Sequence, residues 1–291
     1  MHRVFILHWN SPGQCLATVR RFEEQNVPLS ITVIDNASSP ELFEKLRTGL
    51  PGNVRLLVHP HNMGWGAGFN PALREWLGTK PDGYAFISAH DALPEPGCLK
   101  MLVQALDQHA DIGLVSPEYG QPDLPTFQAV RGARLVRGKA RPPGKVERFP
   151  YAHGTLMAAR SECLSEIGTF DERFFAYGDE LEIYLRANHR GWANAIVWGA
   201  VVINPGSGTP SALMAYLWTR NLLLIARIYG GRMTASARTA AVLASACMHR
   251  LTGRSQRSLS SPYARLMAIY DYLRGRFGAP CPDLVLKLKS L

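Results

Sequence analysis

The sequence is poor in cysteine, with five in 291 residues and no Cys-x-x-Cys pair. Cys15, Cys98, Cys163, Cys247 and Cys281 are too scattered for a zinc ribbon or a disulfide framework, so reduced thiols and a cytoplasmic setting are expected. No apolar run reaches the roughly 18 residues needed to cross a bilayer. The opening residues 1–9 read as a strand rather than a leader, because the apolar stretch is short and no small-residue cleavage site follows. Neither a Walker A pattern nor Gly-x-Gly-x-x-Gly occurs, which leaves the P-loop and dinucleotide-binding readings unsupported. With 46% hydrophobic and 19% charged residues, the chain can bury a sizeable core.

Acidic residues almost vanish after residue 210. Residues 1–210 carry 20 Lys and Arg against 21 Asp and Glu, whereas residues 211–291 carry 12 against only Asp271 and Asp283. The whole formal excess of +9 therefore sits in the tail. Two parts are expected: residues 1–210 as one domain and residues 211–291 as a basic helical extension. Positive charge suits nucleic acid, but no recognition motif accompanies it, so no nucleic-acid partner is expected. An anionic membrane surface is the alternative partner, with Arg250, Arg254, Arg257 and Arg265 facing lipid or simply solvent. Residues 213–229 are apolar except for Thr219, Arg220, Asn221 and Arg227, and are expected to pack onto the rest of the chain rather than lie on a membrane. A second basic run (Arg131, Arg134, Arg137, Lys139, Arg141, Lys145, Arg148) lies among Gly and Pro and reads as a mobile loop.

The first half alternates between period-2 and helical patterning. Strands are predicted over residues 4–8, 30–34, 54–58, 84–87 and 112–115, and helices over 13–26, 41–50, 66–77 and 96–109. That order predicts an α/β fold with a mostly parallel sheet and helices on both faces. Residues 121–150 read as loop, 154–168 as strand then helix, 193–203 as strand, and about 211–229, 233–250 and 262–276 as helices. In such sheets ligands gather at the carboxyl ends of strands, and three polar clusters fall there: Asn10-Ser11-Pro12, Asp35 to Ser39, and Ser88 to Asp91.

Four segments could carry chemistry. Asp35 at a strand end could accept a pyrimidine N3–H, or Asp35 or Ser39 could cap the following helix. The run from Asn62 to Asn70 packs three glycines into five residues ahead of a helix, which suits either a ribose and diphosphate or a tight turn. Asp91 could hold a divalent cation on a diphosphate, with His90 a second candidate ligand, or both could merely end a strand. Asp179, Glu180 and Glu182 open a helix, where the dipole favours acids. Glu182 and Arg186 have ion-pair spacing, which leaves Glu180 or Asp179 to project into a pocket as a general base.

Taken in order, the segments 33–39, 62–70, 91–99, 154–160 and 170–186 resemble glycosyltransferase family 2, whose inverting enzymes have the type-A nucleotide-sugar-binding fold. The resemblance covers roughly residues 3–230 and looks closest to rhamnosyl- and galactofuranosyltransferase-like bacterial members. It implies transfer from a nucleotide-diphosphate donor, such as a dTDP- or UDP-sugar, to a glycan or lipid-linked acceptor, in the cytoplasm or peripherally on the inner face of the plasma membrane. By position it implies nucleotide binding by His8, Asn10, Asp35, Asn62, Gly64, Gly68 and Asn70. Asp91 matches the last acid of the metal motif, implying Mg²⁺ or Mn²⁺. Glu180 matches the catalytic base, and Asp179 the acid that orients it. Three departures stand out: Ala89 replaces the first metal-motif acid, Asp179-Glu180 exchanges the usual order of acids, and Asn204 stands where a late histidine often completes the metal site. Basic residues of the 131–148 run could then neutralise the leaving diphosphate. A catalytically degenerate nucleotide-sugar-binding module is the competing reading. A nucleotidyltransferase is a weaker one, because no Gly-rich loop with a basic residue opens the chain.

Overall fold

The computed structural model describes residues 1–118, 123–139, 141–204, 208–252 and 261–290. Strands β1 (His2–His8), β2 (Leu29–Asp35) and β3 (Arg55–Val58) alternate with helices α1 (Pro12–Glu23), α2 (Pro40–Gly49) and α3 (Trp65–Gly78). Next come β4 (Tyr84–Ala89), the short β5 (Leu93–Pro94), α4 (Cys98–Gln108) and β6 (Ile112–Glu118). They are followed by β7 (Asp123–Gln128), β8 (Gly132–Arg137), β9 (Val146–Arg148), β10 (Leu156–Arg160), α5 (Ser161–Ile167), α6 (Asp179–His189) and β11 (Ala193–Ile203). The chain closes with α7 (Ser211–Thr252), α8 (Pro262–Leu273) and α9 (Pro282–Lys289).

The main sheet runs β3-β2-β1-β4-β10-β6-β11-β5, with β9 also paired to β11. β1 pairs in parallel with β2 and β4, β2 with β3, and β6 with β11, while β10 runs antiparallel between β4 and β6. Side-chain alternation splits the core between the two faces. Phe5 and Leu7 join Phe69, Leu73 and Trp76 of α3 on one face, and Val4 and Ile6 join Val19 and Phe22 of α1 on the other. Burial on both faces explains why β1 and β2 read as continuous apolar runs.

Residues 121–150 are not simply loop. β7 and β8 form a separate antiparallel hairpin and β9 edges the main sheet. Gly and Pro content hid them, because a hairpin off the main sheet needs backbone pairing more than apolar alternation. Arg141 pairs with Glu147 at 2.8 Å and Arg148 with Asp111 at 2.7 Å, so these two arginines already have counter-ions. The side chain of Arg137 lies outside the described residues.

α7 is interrupted at Gly231, whose φ of 79° no helix contains. Its first half packs as expected: Leu222, Leu224 and Ile225 share the core that holds Phe69 and Phe170. Arg265 is not turned outward toward lipid, since its Nη1 donates to Ser245 Oγ at 3.0 Å. The side chain of Arg250, and all of Arg254 and Arg257, fall outside the described residues, as do Pro205, Gly206 and Ser207. α9 was not anticipated from the sequence. Among the described residues no helix is long and apolar enough to cross a membrane.

Candidate active site

The tips of β1 and β2 are locked to each other. His8 and Asp35 are both buried, with Nδ1 and Oδ1 2.8 Å apart. His8 Nε2 accepts the Ser11 N–H at 3.0 Å, so the ring proton sits on Nδ1 and is donated to Asp35. Asp35 Oδ2 accepts the Ser38 N–H at 3.0 Å. Burial alone would raise the Asp35 acid, but hydrogen bonds from His8 and Ser38 outweigh it and hold the carboxyl below its ordinary value. Both Asp35 oxygens are thus engaged inside the fold, where the sequence suggested an open acceptor for a base. Asn10 lies at the rim with φ 52°; its N–H donates to Ser38 Oγ and its Oδ1 accepts the Ser39 N–H, each at 2.8 Å. Beside it Trp9 is 46% exposed, a large ring left open at the tip of β1.

The glycine-rich segment faces protein rather than an open cradle. Gly64 has φ 91° and ψ −172°, a region essentially reserved for glycine. A Cβ there would lie 2.1 Å from Phe175 O, and the next N–H, from Trp65, bonds that same carbonyl at 2.6 Å. A Cβ on Gly68 would meet Leu7 at 2.7 Å, and one on Gly66 would meet Phe170 at 2.9 Å. Asn70 is fully buried, with Oδ1 accepting the Phe170 N–H and Nδ2 donating to Phe170 O, both at 2.9 Å. Gly64 and Asn70 therefore clamp the segment before α6, and Gly68 lets α3 approach Leu7 of β1. Asn62 Oδ1 accepts from Gly64 N–H at 2.9 Å and from Asn36 Nδ2 at 3.1 Å. Asn36, which the sequence reading did not single out, also accepts the Met63 N–H at 2.9 Å and so ties the β2 tip to this segment.

The clamp delivers the acidic turn. Tyr177 (φ 65°) and Gly178 (φ 93°) reverse the chain just before α6. Asn221 of α7 holds the turn by donating to Ala176 O at 2.9 Å and Tyr177 O at 2.7 Å. Asp179 is buried; its Oδ2 accepts the Gly66 N–H at 2.8 Å, and its Oδ1 has no hydrogen-bond partner among the described residues. Burial first, and then the adjacent Glu180 charge, raise the Asp179 acid well above the usual carboxylate range. Glu180 stays partly exposed, and its Oε2 accepts the Gly178 N–H at 3.0 Å. A Cβ on Gly154 would lie 3.1 Å from Glu180 Cβ and 3.3 Å from the Trp65 ring, so glycine lets the backbone pack closely against the stem of the Glu180 side chain. Glu182 pairs with Arg186 at 2.7 Å, as its spacing predicted, and is not open to solvent.

Thr155 joins this turn to the strand tips. It follows Gly154; its carbonyl accepts the Ala89 N–H at 2.9 Å, and its Oγ1 accepts from Asn204 Nδ2 at 3.2 Å. The acidic turn and the β4 tip are thus bridged by Gly154 and Thr155 at one edge of the sheet. Asp91, two residues beyond β4, is partly exposed. His90 turns inward, donating from Nδ1 to Leu7 O at 3.2 Å, and burial lowers its pKa despite Asp91 beside it. Among the described residues no three His, Cys, Asp or Glu side chains gather. One open carboxylate fits a hard cation that takes its remaining ligands from phosphate and water.

Sheet order, with the reversed β10 between β4 and β6, together with the acidic turn beside the strand tips, defines a type-A nucleotide-sugar transferase fold. The glycosyl transferase family 2 model matches residues 4–168, and the chain belongs to that family. It is 24% identical over 206 residues to an N-acetylglucosaminyl-diphospho-decaprenol L-rhamnosyltransferase of Mycobacterium tuberculosis, over 61% of this chain. The chain spans 66% of the length of that curated relative. Among solved structures it resembles a mannosyltransferase from Pyrobaculum calidifontis in complex with GDP-Man and Mn²⁺, with a TM-score of 0.61 and 17% identity over 94% of this chain and 87% of that one. It also resembles residues 1–349 of TarS from S. aureus, with a TM-score of 0.54 and 15% identity over 99% of this chain and 82% of that one.

Proposed function

We propose that the chain transfers a sugar, with inversion, from a nucleotide-diphosphate donor to a hydroxyl of a lipid-linked or glycan acceptor. Rhamnose is the sugar suggested by the mycobacterial relative's name, and dTDP or UDP is the carrier proposed for it. The observation that supports the reading is Glu180, a partly exposed carboxylate opening α6, whose stem packs against Gly154 while the next residue, Thr155, bonds the β4 tip.

Glu180 accepts the proton of the acceptor hydroxyl, whose oxygen attacks the anomeric carbon from the face opposite the diphosphate. The C–O bond to the diphosphate breaks as the new one forms. Asp179, held by the Gly66 N–H and inclined to keep its proton, steadies the Glu180 carboxylate. Trp9 stacks on the nucleobase, with Asn10 and Asn62 as polar contacts at the rim. His8 and Asp35 form the floor of that pocket from below. Asp91 would hold Mg²⁺ or Mn²⁺ together with the donor's phosphates, and such a cation supplies charge neutralisation for the leaving diphosphate.

Transfer from dTDP- and UDP-sugars by Glu180→Gln tests the assignment. Loss of about a hundredfold or more in kcat with nucleotide binding retained is expected. Near-normal turnover removes Glu180 as base. Nucleotide binding without transfer by the unaltered chain, whatever the acceptor, favours the degenerate binding module instead.

Association with an anionic membrane is a second part of the reading. Met233, Leu273 and Leu286 are largely exposed on the C-terminal helices, which also carry the chain's basic excess. Liposome flotation that depends on anionic lipid is the expected result, and equal flotation with neutral lipid rejects it.

A further inference from the structure

Most arginines with ordered partners in this chain meet a carboxylate or a full set of acceptors. Arg173 and Arg186 are paired with Asp171 and Glu182. Arg220, 1% exposed, spends its guanidinium on Asn221 Oδ1, Tyr216 Oη and Gly278 O. Arg238, in the second half of α7, breaks this pattern. It is 8% exposed, and Nη1 donates to Val130 O, in the β7–β8 turn, at 2.8 Å. Its Nε is buried and has no hydrogen-bond partner among the described residues. Among the described residues no carboxylate lies within ion-pair distance of it, and the charge that acts on it is another cation, Arg134 of β8. Burial and that cation together push its pKa down to about 10. Gly132 makes the room: a Cβ there would lie 2.7 Å from Nη2 and 2.8 Å from Nη1.

A buried cation beside a like charge is costly unless an anion completes it. The hairpin that carries Arg134 and packs on Arg238 reaches toward the acidic turn. Thr126 O of β7 receives the Tyr151 hydroxyl at 3.5 Å, and Tyr151 feels the charge of Glu180. The acceptor must approach on the Glu180 side, whereas the donor's diphosphate belongs with Asp91 at the strand tips. We propose that Arg134 and Arg238 seat the diphosphate of a lipid-linked acceptor, which rests on the transferase reading above and extends it to the acceptor's anionic group. Two planar guanidiniums offer paired N–H donors that match phosphate oxygens.

Calorimetric binding of farnesyl diphosphate, a prenyl diphosphate probe, to the full chain tests this. Arg134→Gln and Arg238→Gln should each weaken it roughly tenfold or more, leave UDP binding unchanged, and raise the KM for a sugar-diphosphate-prenyl acceptor more than that for an alkyl glycoside. Arg134 is exposed, so its variant decides the matter alone should Arg238→Gln misfold. Unchanged farnesyl diphosphate binding overturns the proposal. So does an equal loss of UDP binding, which would assign the pair to the donor, or an effect confined to flotation on phosphatidylglycerol vesicles. Absence of transfer with intact, arginine-dependent diphosphate binding would sink the transferase reading and leave the anion seat standing.

Discussion

Asp179 Oδ2 lies 2.8 Å from the backbone nitrogen of Gly66, across 113 residues of sequence. This bond fixes the first turn of α6 to the first turn of α3. It also sets an electrostatic tension, because the same carboxyl is buried and sits beside Glu180.

That tension has a defined pH signature. A carboxyl whose folded pKa is raised binds more protons folded than unfolded, between the unfolded value of 3.8 and its folded value. Stability therefore falls as pH rises through that window, by up to about 1.4 kcal/mol per pH unit, and levels off above it. Asp179→Asn keeps an acceptor for Gly66 and removes the titration. Urea unfolding from pH 4 to pH 8 should show the variant gaining on the parent as pH rises. A constant difference across that range rejects the assignment.

Asn221 should matter to both stability and rate although it lies outside the cleft. Asn221→Ala removes two bonds to the turn of Ala176 and Tyr177 and leaves their carbonyls unpaired. A loss of about 2–3 kcal/mol is expected in denaturant unfolding. Turnover should fall with it, while UDP affinity changes little, because Asn221 supports the acidic turn and not the nucleotide rim.

Gly64→Ala should be among the most damaging single changes. The new methyl would meet Phe175 O at 2.1 Å in a backbone region that only glycine occupies readily. Destabilisation of about 3 kcal/mol or more is expected, measurable as a lowered Tm. A mild effect would mean that the segment before α6 has freedom to move away.

Trp9→Ala should weaken UDP binding by about 1–3 kcal/mol, the scale of base stacking on an aromatic ring. Stability should hardly change, since the ring is 46% exposed. Calorimetric titration with UDP measures the first effect and thermal melting the second.

Asp91→Asn should abolish Mn²⁺ stimulation of UDP binding and leave metal-free UDP binding alone. Thermal shift with UDP, with and without Mn²⁺, reads this directly. Persistent stimulation would point to ligands other than Asp91.

Much of the architecture is legible because helices cover both sheet faces, so β1 and β2 had to be apolar throughout and to end in polar tips. The strand 193–203 was read with its observed bounds, and Gly231 breaks α7 in the gap left between two predicted helices. Glu182–Arg186 was legible because its partners lie four residues apart. The roles of Gly64 and Asn70 were not, since each depends on a segment about a hundred residues away. Gly154 carries no local sign that a carboxylate will pack beside it. Asp35 looked like an open acceptor because its partners, His8 and Ser38, fix its surroundings only once β1 and β2 pair in register.

The single reversed strand near the middle of the sheet has a topological result. Because β10 runs against β4 and β6, its start lies where theirs end. The residues leading into it, Gly154 and Thr155, are thereby brought to the working edge, which an all-parallel arrangement would have fed from the opposite side. One change of direction thus lets a returning chain place Gly154 and Thr155 beside the polar tips of its neighbours.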